Sequence, residues 1–273
     1  MGRPAPGDGL AARARAALAA RREELRDAEG AFVPTLSDAD VAWALEALGA
    51  RAKGELRATR DGRVPLHAAG SSTRLVASAF AGWRAFPQSL SVAGLRCFDD
   101  VRLEERILIP HGGGSPNLDV ALERDGGGLV GIEAKLCEHL TATRPRPWKD
   151  AYRRPAMREE LDPAWRAVFD DLLADEERAP RHLDAGQLIR HALSLRGAGE
   201  LVYLFWEPLD GDEHPEVRAH REEVARLLDR VGRDASPGLR SVAWSETFAA
   251  WEADLPAHAA ALQARYDVAV RRP

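Results

Sequence analysis

Apolar residues recur at helical spacing along the start of the chain, then switch to alternation. Residues 8–29 are rich in Ala, Leu, Arg and Glu, all strong helix formers. Ser37 stands as an N-cap for DADVAWALEALGA, which sets Val41, Leu45 and Leu48 on one face with Gly49 near its end. A polar stretch with helix breakers, RAKGELRATRDGRVP, marks an internal boundary. SSTRLVASAFAGWRAF then predicts a serine-capped helix with Leu75, Val76, Ala79, Phe80 and Trp83 on one side. In VRLEERILI the spacing shortens to every second residue, with Val101, Leu103, Ile107 and Ile109 in phase, a strand signature. NLDVALE repeats it with Leu118, Val120 and Leu122, RDGGG turns the chain, and LVGIEAKL returns as a third strand. Much later, ELVYLFWEP is a nearly continuous apolar run bounded by Pro208, which suits a buried central strand. Helical segments are expected near 160–176, 184–196, 215–231 and 246–268.

Together these elements predict an α/β fold: a mixed central sheet of four to five strands flanked by helices. The expected organisation is an N-terminal helical arm over 1–60, a core over 61–245 and a C-terminal helix over 246–273.

Composition narrows the function classes. The 273 residues are 45% apolar, enough for a sizeable core, and carry a formal net charge of −5. That charge excludes a surface basic all over, while leaving room for a local basic groove. The two cysteines, Cys97 and Cys137, have neither CxxC spacing nor paired histidines, so neither a zinc site nor a disulfide framework is indicated. No apolar run approaches the roughly 18 residues of a membrane span. The N-terminal segment, alternating alanine with arginine, lacks the apolar centre of a signal peptide. The expectation is a soluble, cytoplasmic chain with no membrane partner.

The hairpin from 116 to 136 carries the chemistry. Asp119 lies on its first strand, and Glu133 and Lys135, two apart, share a face of the second. Two carboxylates brought together in a partly buried place repel unless a cation joins them. Magnesium suits that need: it takes hard oxygen ligands, few of them from protein, and keeps water and phosphate oxygens in its shell. Lysine beside it can orient or deprotonate an attacking water and offset developing negative charge. An exposed Glu–Lys pair on a half-solvated strand is the bland alternative, and the apolar setting of GIEAKL argues against it.

NLDVAL followed by GIEAK resembles the active-site hairpin of the PD-(D/E)xK nuclease superfamily, the restriction-endonuclease-like fold. SSTRLVASAF, VRLEERILIP, EAKLCEHL, LDAGQLIRHALSL and LVYLFWEP follow in the order expected of one bacterial branch of restriction-type nucleases. The resemblance covers about residues 65 to 210, and Leu118 stands where the motif's name has proline. It implies magnesium dependence, with manganese as a substitute, and DNA as the usual substrate. It implies that Asp119 and Glu133 bind the metal and that Lys135 positions the water. A glutamine on the helix after the hairpin reaches the catalytic centre in similar nucleases, which makes Gln187 a candidate. Glu104, on the strand before the hairpin, is a further candidate metal ligand and is favoured over Glu105. Glu138 matches an acid of the branch without an assigned role. His191 is read as a core histidine with a backbone partner.

RPRPWKDAYRRPAMR places basic residues beside rings just after the hairpin. Arg144, Arg146, Trp148, Lys149, Arg153 and Arg154 are therefore candidates for gripping phosphates and bases; a solvated basic loop is the alternative. The expected activity is that of a metal-dependent endonuclease acting on DNA. Its rivals are an RNA- or structure-specific nuclease and a catalytically silent nucleic-acid-binding module. A two-fold homodimer is expected, because cutting both strands of a duplex in one encounter needs two sites.

Overall fold

The computed structural model describes residues 9–25, 32–112, 114–124, 126–143, 148–175, 179–196 and 199–271. A five-stranded sheet organises them in the order β1-β2-β3-β4-β5. The strands are β1 (Phe98–Arg106), β2 (Asn117–Arg124), β3 (Gly128–Lys135), β4 (Glu200–Phe205) and β5 (Gly238–Ala243). β1, β2 and β3 form an antiparallel meander, whereas β3, β4 and β5 run parallel. The mixed sheet flanked by helices is the predicted α/β architecture.

The helices are α1 (Leu10–Glu24), α2 (Asp38–Arg51), α3 (Lys53–Leu56), α4 (Ser72–Ala81), α5 (Pro155–Glu159), α6 (Pro163–Ala174), α7 (Ala185–Leu195), α8 (Pro215–Val231), α9 (Trp244–Trp251) and α10 (Pro256–Tyr266). Ser37 caps α2 through a reciprocal box with Asp40, and Ser71 caps α4 by accepting from Arg74 N–H at 3.1 Å. The face α2 buries differs from the predicted one. Ala44 and Leu48 are inside, while Leu45 is 38% exposed.

Each sheet face has its own core. On one, Val101, Leu103, Val120, Leu122, Val130, Ile132, Val202 and Leu204 pack against α1, α2, α4, α9 and α10. Phe80, Trp83, Trp244, Phe248 and Trp251 interlock there edge to face and at tilted angles. On the other, Leu201, Tyr203 and Phe205 of β4 meet α6, α7 and α8. The second face presents Glu133 and Lys135, registered against Tyr203 and Phe205.

Three sequence expectations shift. β1 stops at Arg106, so Ile107 and Ile109 leave the ladder. The single helix expected over 246–268 is two, because Pro256 sits at the first turn of α10 and its ring is incompatible with a helix interior. The predicted N-terminal arm lies on the sheet: Leu10, Ala14, Leu18, Ala44 and Leu48 share the first core. Ala11, Ala14 and Ala44 of this arm are thereby buried within the chain. No helix among the described residues is long and apolar enough to cross a membrane.

Candidate active site

The site lies where β2 and β3 part. Their ladder runs from Arg124↔Gly128 to Val120↔Ile132 and goes no further. One step beyond, the Asp119 carboxylate accepts the Ala134 N–H at 2.7 Å, taking the place of a strand partner. Asp119 is thus fixed at the fork beside Glu133. The close passage of β4 against this hairpin needs a glycine: Gly199 has φ +129°, and a Cβ there would lie 1.8 Å from the Leu129 carbonyl oxygen.

Glu133 is 1% exposed, and both of its oxygens are held. Lys135 Nζ bonds Oε1, and His191 Nε2 lies 2.8 Å from Oε2. The carboxylate can only accept, so the imidazole donates. Lys135 Nζ also donates to Gln187 Oε1 at 2.9 Å. Gln187 and His191 are four residues apart on α7 and therefore share a helix face. Asp184 Oδ1 caps that helix by accepting Gln187 N–H at 2.8 Å, which fixes where its first turn begins.

Charge sets the protonation states. Burial works to raise the Glu133 pKa, but Lys135 and the His191 bond overcome it and hold the group at about 2. Asp119 goes the other way: burial and the Glu133 charge push its carboxyl well above the usual range, against the pull of Lys135 and the Ala134 bond. Burial would lower the Lys135 pKa, yet Glu133 and Asp119 raise it, so the side chain stays an ammonium. An ammonium so held can donate hydrogen bonds and offset nearby negative charge.

Glu104 is buried, with an unusual backbone for a strand residue, φ +52°. Its carboxylate accepts from Asn117 Nδ2 at 3.2 Å, and burial raises its pKa, with Glu133 and Glu55 adding to the effect. Glu105, the disfavoured alternative, pairs instead with Arg51. Glu138 has a structural part: its carboxylate accepts the Leu136 and Cys137 N–H groups at 2.8 and 2.9 Å, closing the turn after β3.

The structure therefore brings together Asp119, Glu133, Lys135 and Gln187, with Glu104 in electrostatic reach of the first two. Among the described residues no three His, Cys, Asp or Glu side chains group as a ready-made metal cage. The donor set still fits magnesium, which takes one or two carboxylates and fills its shell with water and phosphate oxygens. Asp119 keeps one oxygen without a bond to the described residues, and the surplus of buried negative charge at the fork is what a cation would relieve.

Of the basic candidates, Lys149, Arg153 and Arg154 are exposed, while Arg144 and Arg146 lie outside the described residues. Trp148 is half-buried, with its ring 4.7 Å from Phe169 and 5.4 Å from Tyr152. His191, read from the sequence as a core histidine with a backbone partner, is buried, but its partner is the Glu133 carboxylate. Its one signal was the four-residue spacing from Gln187.

The sequence model of a family described as Restriction Endonuclease associating with ARP matches residues 87–267, which include every residue of this cluster. Comparison with curated proteins and with solved structures finds no match.

Proposed function

Since the chain belongs to the family of restriction endonucleases associating with ARP, and so to the nucleases, we propose that it hydrolyses phosphodiester bonds of DNA with the help of magnesium. The observation that carries this reading is the closed network on β3 and α7, in which Lys135, Gln187 and His191 lock Glu133 beside Asp119. Strained, buried charge without a use is costly, and proteins keep it at functional sites. That cost weighs against a silent binding module.

In this reading Asp119 and Glu133 hold the ion, with Glu104 alongside. A bound magnesium ion would polarise the scissile phosphate and neutralise charge that develops on it. The chain's own groups do the rest. Lys135, a fixed ammonium, donates to the attacking water or to a non-bridging phosphate oxygen. Gln187 keeps Lys135 aimed by accepting one of its three N–H groups. His191 leaves the Glu133 carboxylate one orientation. Lys149, Arg153 and Arg154 supply positive charge for neighbouring phosphates.

The test is cleavage of duplex DNA, single-stranded DNA and RNA side by side, with magnesium and with chelator. Metal-dependent cutting of DNA that disappears in Asp119→Asn and Lys135→Ala is expected. Cutting that persists in both, in protein free of contaminating nuclease, would defeat the assignment. RNA cut in preference to DNA would replace the substrate.

A further inference from the structure

A cavity of about 360 Å³ opens beside Lys135 and Gln187. It falls at the small end of small-molecule sites, which span about 300–1,000 Å³. That is room for one nucleotide-sized group and too little for a base pair. Trp148 and Arg190 both line the cavity, with the Arg190 guanidinium carbon 6.0 Å from the Trp148 ring centroid. Unpaired bases stack on aromatic rings and on guanidinium planes alike. The charges that line the cavity are mixed: Lys135 and Arg190 face Asp184 and Glu138. The two carboxylates would repel a phosphate there, whereas a neutral base carries no charge for them to repel. Gln187 uses its carbonyl oxygen on Lys135, so among the described residues its two amide N–H donors are left for the edge of a base.

We propose that this cavity is a subsite for one unpaired nucleobase next to the phosphate being cut. The proposal rests on the nuclease reading and sharpens it: the preferred substrate carries an extrahelical or single-stranded nucleotide at the cleavage position. A fully paired duplex must first pay the cost of unstacking that base.

Gly186 gives a clean way to close the cavity. It lines the space, and a Cβ there would meet Asp184, Trp148 and Arg190 at 3.4–3.5 Å, ordinary contact. Gly186→Ala is therefore tolerated, and Gly186→Leu adds bulk to the cavity from the first turn of α7.

The probe is a duplex with one 5-iodouracil, either in a single-nucleotide bulge or paired, photo-crosslinked in chelator and mapped by peptide mass spectrometry. The bulged base is expected to crosslink the peptide holding Trp148 about tenfold more than the paired base, the order that one base–ring stack contributes. Gly186→Leu should erase that difference and Gly186→Ala should keep it. With metal, the same bulged duplex should be cut faster than the paired one by wild type. Equal crosslinking of both duplexes, or a crosslink that maps elsewhere, overturns the subsite, and the wild-type measurement decides this even if Gly186→Leu folds badly. Crosslinking at Trp148 without any cleavage would leave the subsite standing and defeat the nuclease reading instead. Cleavage with crosslinks elsewhere does the reverse.

Discussion

Replacing His191 separates a histidine that holds the site from one that merely fills the core. The ring is fully buried, its Nδ1 has no hydrogen-bond partner among the described residues, and Nε2 is 2.8 Å from Glu133 Oε2. His191→Leu keeps most of the bulk and removes the donor. Glu133 is 1% exposed, so water does not replace the lost bond. A hydrogen bond to a charged group contributes about 1.5–3 kcal/mol net. The buried setting places this one in the upper part of that range, which lowers the melting temperature by about 4–5 °C in a chain of this size. Loss of packing alone would do part of that. What packing would not do is change the metal requirement. With one oxygen released, Glu133 can turn toward Lys135, and the magnesium concentration for half-maximal cleavage should rise about 10–100-fold, as for other groups that orient a metal ligand. His191→Gln, which restores an N–H donor, should recover part of the loss. Cleavage rates against magnesium concentration, alongside urea unfolding, make the comparison. A destabilised His191→Leu with an unchanged metal requirement would reduce His191 to core packing; unchanged stability as well would refute the bond.

The two acids at the fork should respond with opposite signs. Asp119→Asn removes a charge that burial and Glu133 both disfavour, so the metal-free protein should gain about 0.5–2 kcal/mol while losing cleavage. Glu133→Gln strands Lys135 and His191 and should cost about 3 kcal/mol, as breaking a buried pair does; equal shifts in chemical denaturation would show the charge balance to be misread. His220 provides the acid sensitivity. It is fully buried, 2.9 Å from the Tyr203 hydroxyl, and burial, with the nearby His182 and Arg221 charges, lowers its pKa to about 3. A depressed histidine favours the neutral folded form, so its contribution is complete above the unfolded pKa of about 6.5 and is lost as pH falls toward the folded value. Between pH 7 and pH 5 that loss is about 2 kcal/mol. The stability of His220→Phe should fall by that much less over the interval, and parallel curves for the two proteins would contradict the assignment.

How far the sequence reached follows from the range over which each feature is determined. Alternation is local, so Val120, Leu122, Val130 and Ile132 announce their strands and leave Asp119, Glu133 and Lys135 conspicuous among them. Gln187 was reached through the resemblance, which implies a glutamine on the helix after the hairpin; the structure adds the Asp184 cap that sets where α7 starts. His191 was not reached, since a histidine on an apolar helix face reads as core until the strand opposite is known. β5 is an edge strand of mixed burial, GLRSVA, which has no clean alternation to find. The break at Pro256 was written in the chain, and the helical pattern on both sides of it concealed it. Glu104 illustrates the remaining distance: it was favoured over Glu105, but its positive φ and the Asn117 bond that holds it depend on tertiary packing.

The N-terminal helices are the place where sequence similarity and physical structure diverge. The family match begins at residue 87, and the breaker-rich stretch before residue 65 reads as a boundary. Yet Leu10, Leu18 and Leu48 are at most 3% exposed within the core of the sheet's first face. Three fully buried leucines contribute about 5–9 kcal/mol together, at about 1.5–3 kcal/mol each. Total stabilities of folded proteins are only about 5–15 kcal/mol. The arm also reaches the site directly. The Arg51 guanidinium pairs with Glu105, and the Arg51 carbonyl accepts from Asn117 Nδ2 at 3.2 Å, the same amide that bonds Glu104. Deleting residues 1–60 should therefore remove cooperative folding along with cleavage, leaving a chain that binds hydrophobic dye and lacks a sharp thermal transition. Arg51→Ala is the milder version: it should cost under about 1 kcal/mol, as a half-exposed pair does, and leave the fold in place. A truncated chain that melts cooperatively near the full-length temperature would show that the arm is an accessory laid over a core complete without it.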